Sequence, residues 1–515
     1  MADSSSSSFS TPERTTIGGS LEIPRMINGL WQLAGGHDKK VDIAVTAECM
    51  EPLIDAGLSA FDMADHYGDA ELVIGQHHAR PSQRQITAFT KWCPAENGIK
   101  TFENAEAAVD LALTRMGQKS IDLMQYHIWD YTDDTYLHNL SHLRTLQQQG
   151  KISHIGLTNT DAAHLELLLH SGYQIATNQV SCSVIDRRVV RGRLSSVCAE
   201  NNVGILAYGT LLGGYLSEKW VGAPEPQDMN NLNWSLRKYL RFIHAAGGWE
   251  PFQRVLQSLA TVASKHNVPI AAVATRWVLD IPVVSAVIVG CRLSAGSGKY
   301  TASNLAAFSF SLDEEDKNLI SAAQEGLSDI PGDCGDEYRR PPFLTAAGDL
   351  TDHIKETDAM RAVTDAISQG KRVEHWSGSK WEPIAGYSRA VRVGGTIRVS
   401  GTTANAPPTL GNADHFLGGT CARCQAVAAL DIIERSIKKL GGKMSDVVRT
   451  RVMVRREALC EAASLAHGWM FQSCLGIRPS NTLVTAGIIG DDFLVEIEAD
   501  AVIGSGQGQD VLVIN

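Results

Sequence analysis

The chain has 515 residues, of which 44% are hydrophobic, 20% charged and 6% aromatic, with a formal net charge of −11. That apolar content is enough for a core and excludes a disordered or collagen-like chain, while the acidic balance excludes a broad surface for nucleic-acid phosphates. No run of about 18 apolar residues occurs, so the sequence predicts a chain with neither a membrane nor a nucleic-acid partner.

Ten cysteines are scattered without the dense spacing of a secreted scaffold, which predicts a reducing compartment and a cytoplasmic location. Residues 1–14 include five consecutive serines and read as a disordered tail. A transit peptide is the weaker alternative, because Asp3, Glu13 and the scarcity of Arg do not suit one.

Over residues 15–326, short β-branched runs alternate with longer helical-period segments. The strand candidates are MINGLW, LSAFDMA, QITAFTKW, IDLMQYH, KISHIGLT, QIATNQV, VGILAYG and SAVIVG. Helix candidates such as NAEAAVDLALTRMG end near Gly, as helix C-termini often do. Eight alternations predict a parallel sheet closed into a (β/α)8 TIM barrel. No strand leads into G-x-G-x-x-G, so a Rossmann unit is not supported. A long Gly- and Trp-rich insertion at 210–250 points to a ligand.

Residues 327–375 change in composition and read as a connector with one helix candidate at 351–368. Residues 376–504 follow the order ββαβαββ, which predicts a smaller α+β layer, and 505–515 form a tail. The alternation in NTLVTAG and FLVEIEADAVI suggests strands buried on both faces.

Barrel strands deliver their C-terminal residues to one face. There the sequence puts Asp62, Tyr67, Lys91 and His127. A buried ammonium at Lys91 would make the Tyr67 phenol a better acid, Asp62 would hold Lys91, and His127 would orient a carbonyl oxygen. Trp31, Trp92 and Trp129 follow the first, third and fourth strands and are candidates for an apolar substrate pocket. Asn139 and His142 read as a solvated helix face, and His77-His78 as surface.

FDMADHYGDAELVIG, with Lys91 and His127 on the next two strands, resembles the aldo-keto reductase signature over about 300 residues. The resemblance implies an NADP(H)-dependent reductase of small carbonyl compounds, with Tyr67 as proton donor in a tetrad with Asp62, Lys91 and His127. It also places Thr158, Asn159 and Gln179 at the nicotinamide carboxamide, Tyr208 against its ring, and Leu211 to Gly214, Gly213 included, at the pyrophosphate. Asn304 is retained at the adenosine end, where Arg292 and Lys299 are candidates for the 2′-phosphate; Tyr300 and Ser303 replace the family's Arg and Glu.

YSRAVRVGGTIRVSGTTA, DVVRTRVMV and RPSNTLVTAGIIGDDFLVEIEADA resemble the Rid (YjgF-type) family of reactive-intermediate deaminases. That resemblance implies a homotrimer formed through this domain, with Tyr387, Ser400, Asn481 and Glu496 at its pocket positions. Asn481 stands where active members carry the Arg that pairs with a substrate carboxylate, which counts against carboxylate-dependent deamination. Cys421-Ala422-Arg423-Cys424 has no second ligand pair by spacing, so structural thiols and no metal are expected. An NADPH-binding redox sensor or scaffold with little turnover, and a bifunctional reductase and imine-processing protein, are the competing readings.

Overall fold

A computed structural model describes residues 10–34, 42–81, 84–94, 101–294, 296–339, 358–407, 410 and 416–506. The described residues open with an antiparallel hairpin, β1 (Arg14–Ile17) and β2 (Leu21–Pro24), the first residue of which the sequence assigned to a tail.

Eight parallel strands follow: β3 (Met26–Gly29), β4 (Ala60–Asp62), β5 (Thr87–Trp92), β6 (Ile121–His127), β7 (Ile152–Thr158), β8 (Thr177–Ser181), β9 (Gly204–Tyr208) and β10 (Val284–Gly290). They close in sequence order, β10 pairing with β3, into the expected barrel. Because side chains alternate along a strand, the barrel interior is built in layers. A lower apolar layer contains Ile27, Ala60, Phe89, Leu123, Leu206 and Ala286, packed against Ile17 and Ile23 of the hairpin. Two residues further along the same strands come Asp62, Lys91, Gln125 and Tyr208. The pleat thus lifts the polar residues to the C-terminal mouth above a sealed floor.

The second domain is a six-stranded sheet in the order β11-β12-β13-β16-β14-β15. These strands are β11 (Val373–His375), β12 (Ala390–Val393), β13 (Thr396–Thr403), β14 (Val447–Val454), β15 (Ser480–Thr485) and β16 (Val495–Val502). The sheet begins inside the segment read as connector, and the connector helix is described only over Asp358–Ser368. Two helices, Ala422–Lys439 and Cys460–Gly468, accompany it.

The expectation of strands buried on both faces is corrected. In β16, Val495, Ile497, Ala499 and Ala501 are buried, while Glu496, Glu498 and Asp500 alternate with them at partly exposed positions. One face is therefore apolar and covered, the other polar.

The domains are not beads on a linker, for barrel and C-terminal residues belong to one apolar cluster. Helix Ala422–Lys439 lies against barrel helix Ala162–His170. Arg435 donates to the Thr132 carbonyl (2.8 Å) and pairs with Asp134 (3.1 Å), and Lys438 reaches the Thr132 hydroxyl at 3.1 Å.

Candidate active site

Asp62 ends β4, Lys91 lies one residue before the end of β5, and His127 ends β6, so all three reach the barrel mouth. Lys91 Nζ donates to Asp62 Oδ2 at 2.6 Å and to the Met63 carbonyl at 2.8 Å. The other carboxylate oxygen accepts from Gln125 Nε2 (2.8 Å) and Gln179 Nε2 (2.9 Å), and the two amides are themselves joined at 2.8 Å. Asp62 is 3% exposed and Lys91 4%, so this ion pair is held by hydrogen bonds rather than by water.

Tyr67, in the loop after β4, places its ring with the centroid 5.0 Å from Lys91 Nζ. Burial pushes its phenol well above the ordinary value, and the Asp62 charge adds to that. Lys91, the cation that the sequence set beside this phenol, is itself paired with Asp62.

His127 is buried, and its Nδ1 is 2.7 Å from the Thr158 hydroxyl. Thr158, expected at the nicotinamide carboxamide, thus has a partner within the protein. Gln179 likewise turns to Asp62 and Gln125. Asn159, held at a left-handed φ of 53°, accepts from the Tyr208 hydroxyl at 2.7 Å. All three residues expected at the nicotinamide carboxamide thus already have partners within the protein.

Leu211 is half-buried, Gly213 is exposed, and Gly214 has a left-handed φ of 110° with nothing within 4 Å of where a Cβ would stand. Arg292 and Lys299 are exposed beyond β10, and Asn304 is half-buried in the short helix Thr301–Leu305.

Of the three tryptophans, Trp129 packs edge-on to His127 with centroids 4.1 Å apart, and Trp31 meets Trp234 at 6.0 Å. Trp92 does not join them. Its ring meets Tyr126 at 5.5 Å, and Tyr126 accepts from Asn139 on helix Thr135–Gln148 at 2.8 Å. As neighbours of Lys91 and His127 along their strands, Trp92 and Tyr126 point to the helix layer. Asn139 is accordingly buried rather than solvated, His142 is half-buried, and His77 is fully buried with Nε2 at 3.1 Å from the Arg84 carbonyl.

Residues 333–339, read as connector, cross the barrel mouth instead. Arg188 anchors them: it forks onto Asp186 (2.9 and 2.8 Å) and pairs with Glu337 at 2.7 Å. Gly335, at φ +93°, approaches so closely that an added Cβ would lie 1.8 Å from the Asn159 carbonyl, and Arg339 donates to that same oxygen. Tyr338 then places its hydroxyl 3.3 Å from that of Tyr208 and accepts from Lys238 at 3.0 Å, with its ring 5.6 Å from His127.

Sequence reasoning missed Gln125, Lys238 and Tyr338. Gln125 was findable, since it lies two residues before His127 on one strand; Lys238 lies within the flagged insertion; nothing local marked Tyr338.

In the second domain, Arg389 lies over the Tyr387 ring (5.8 Å) and donates to the Gly401 carbonyl at 2.7 Å. Ser400 bonds the Ser388 carbonyl at 2.9 Å, and Glu496 lies directly against Gly401. Burial raises the Glu496 carboxyl above its usual range, with Glu498 adding to the effect. Asn481 stands apart on the edge strand β15, accepting from Thr450 at 3.1 Å. Within one chain the four expected pocket residues are therefore not all brought together. Cys421 and Cys424, for which spacing offered no second ligand pair, have Glu166 and His170 of the barrel beside them.

The chain is a barrel oxidoreductase of the kind that acts on carbonyl groups, as its family shows. Residues 25–325 match the aldo/keto reductase family, and the chain belongs to it. Residues 378–503 match the family described as Endoribonuclease L-PSP, the Rid family, so the chain is a fusion of the two. It is 26% identical over 322 residues to aldo-keto reductase str7 of Strobilurus tenacellus, covering 61% of this chain and 90% of that one. It is 23% identical over 337 residues to the NADH-specific methylglyoxal reductase of Escherichia coli, covering 60% and 96%. An aldo-keto reductase from Klebsiella pneumoniae, solved in complex with NADPH, is 20% identical with a TM-score of 0.45, covering 60% and 94%.

Proposed function

We propose that the protein reduces a small aldehyde or ketone to an alcohol with NADP(H), Tyr67 giving the proton. The observation that carries this reading is the buried Lys91–Asp62 pair at 2.6 Å beside the Tyr67 ring.

The residues present fit a nicotinamide cofactor. Tyr208 offers a half-buried ring at a strand end, and the open left-handed backbone at Gly214 lets phosphate oxygens come close to the chain. Asn159 and Gln179 would hold the carboxamide by exchanging a partner. A reduced nicotinamide, when bound, supplies the hydride. The chain does the rest. Thr158 donates to His127 Nδ1 in the tautomer that leaves Nε2–H for the substrate oxygen, and Tyr67 passes its proton to that oxygen. Lys91 then steadies the phenolate until it is reprotonated. Trp31, Trp129 and Tyr338 wall the pocket.

Cofactor oxidation against a panel of aldehydes, ketones and sugars tests the activity; no turnover with any of them, despite cofactor binding, would favour the sensor reading. For the 2′-phosphate, Arg292→Gln or Lys299→Gln should weaken NADPH roughly 10- to 100-fold and leave NADH unchanged. Fluorescence quenching with both cofactors measures this, and equal losses would remove these residues from phosphate recognition.

The chain acts in the cytoplasm on this reading, supported by ten cysteines without the dense spacing of a secreted scaffold. The C-terminal domain assembles a homotrimer, for which the exposed edge strand β15 and the polar sheet face bearing Arg398, Arg449, Arg451 and Glu498 are available surfaces. Light scattering should give a trimer for the full chain and smaller species for Val484→Lys. A monomeric full-length chain would refute the assembly.

A further inference from the structure

We infer that Glu166, His170, Cys421 and Cys424 form a four-ligand zinc site that ties the barrel to the C-terminal domain. Glu166 and His170 lie four residues apart on helix Ala162–His170, so they share a face one turn apart. Cys421 caps helix Ala422–Lys439 and Cys424 lies in its first turn. The four ligand atoms all fall within 4.8 Å of one another. Bond lengths of about 2.0–2.3 Å to a tetrahedral zinc place ligand atoms roughly 3.4–3.8 Å apart, so closure requires side-chain movement of only about an ångström.

The scaffold around them is already built. The Gly418 N–H donates to the Ser171 hydroxyl at 2.9 Å, and an added Cβ on Gly419 would stand 2.5 Å from the His170 carbonyl. The loop leading to the cysteines is thus pressed onto the end of the helix that carries His170. The Cys424 N–H donates to Cys421 Sγ at 3.4 Å, the kind of bond that steadies a ligating thiolate.

Charge and donor type select the metal. Two thiolates, an imidazole and a carboxylate suit zinc rather than magnesium or calcium. Two thiolates and one carboxylate exceed the charge of Zn²⁺ by one, and Arg193, 2.9 Å from both Glu166 oxygens, supplies the compensating cation. It can do so while each oxygen keeps a lone pair for the metal. Cys424 is buried, Cys421 and Glu166 are half-buried and His170 is exposed, so an ion enters from solvent on the His170 side. Four protein ligands leave no open position, which makes the site structural. A bare redox dithiol would have no need of Glu166 or His170, and these two residues separate the ideas.

The test uses the full chain purified under reducing conditions. Elemental analysis should find one zinc per chain. After chelation, cobalt should restore a thiolate-to-cobalt charge-transfer band and the intense visible bands of tetrahedral geometry. Cys424→Ser should abolish both. Because a buried substitution can disturb folding, the surface variant His170→Ala carries the decision: it should fold, keep its reductase activity and lose cobalt affinity by at least about 10-fold. Chelation should lower the melting temperature and zinc should restore it. A reduced chain with no stoichiometric zinc and no cobalt spectrum overturns the site. So does metal bound as tightly by His170→Ala and Glu166→Gln as by the unaltered chain, or a Cys421–Cys424 disulfide as the form isolated without reductant.

Discussion

Replacing Tyr67 with Phe should lower turnover by about 100- to 10,000-fold while cofactor binding persists, because the ring stays and only the proton donor is lost. The mouth is built so that nothing described there replaces it. Lys91 is locked onto Asp62 and the Met63 carbonyl, and His127 is held by Thr158. Lys91→Met should be comparably damaging for a different reason. It removes the cation beside a phenol already pushed upward by burial and by Asp62, and among the described residues it leaves Asp62 buried with amide donors alone. Steady-state and single-turnover kinetics on both variants, with cofactor affinity measured alongside, check this. Near-normal turnover in Tyr67→Phe would overturn the assignment of the donor.

The second large effect is expected at the domain boundary. His164 lies between two carboxylates, with Nδ1 2.8 Å from Asp161 and Nε2 3.2 Å from Asp431 of the second domain, and it stacks on Tyr131 at 3.3 Å. Burial opposes its charge, but the carboxylates outweigh burial and push the imidazole up to about 9. Asp161 is held well below its usual range; burial works against this, and His164 overcomes it. Arg339 also acts on Asp161 and lies over the Tyr131 ring.

A histidine raised in the folded state stabilises fully below its unfolded pKa of about 6.5, and that contribution is lost as pH rises through about 9. The shift corresponds to something on the order of 3 kcal/mol. Asp333, pushed up to about 7 by burial and by Asp161, has the same sign in a lower window, between roughly pH 4 and 7.

Thermal stability should therefore fall between pH 6.5 and 9, and His164→Gln should flatten that slope. Asp431→Asn should cost about 1–3 kcal/mol at neutral pH, because a charged hydrogen bond is lost while His164 keeps Asp161 as a partner. Melting curves across the pH range decide the matter. A flat profile in the unaltered chain would mean that His164 is neutral.

The sequence by itself determined the barrel, because eight strands separated by helices leave a parallel sheet few other closures. It also placed Asp62, Lys91 and His127 at the barrel mouth, because strand ends can be read from local pattern and deliver their residues to one face. The same period-2 logic contained Gln125, two residues from His127, and the outward aim of Trp92, one residue from Lys91. The sequence could not show which hydroxyls and amides are already engaged. Thr158 turns to His127, Gln179 to Asp62 and Asn159 to Tyr208, and each of those pairings crosses between strands.

What only the tertiary structure decided lies far apart in the chain. Tyr338 reaches Tyr208 across 130 residues, and His164 reaches Asp431 across 267. Cys421 and Cys424 find Glu166 and His170 on another domain. Local propensity and spacing carry no record of such meetings, since they arise only when two folded surfaces bury one another and bring their polar groups within bonding distance. The segment from Asp333 to Arg339 illustrates the limit: its Gly, Asp and Arg read as a linker, yet the buried Arg188–Glu337 pair pins it across the mouth of the barrel.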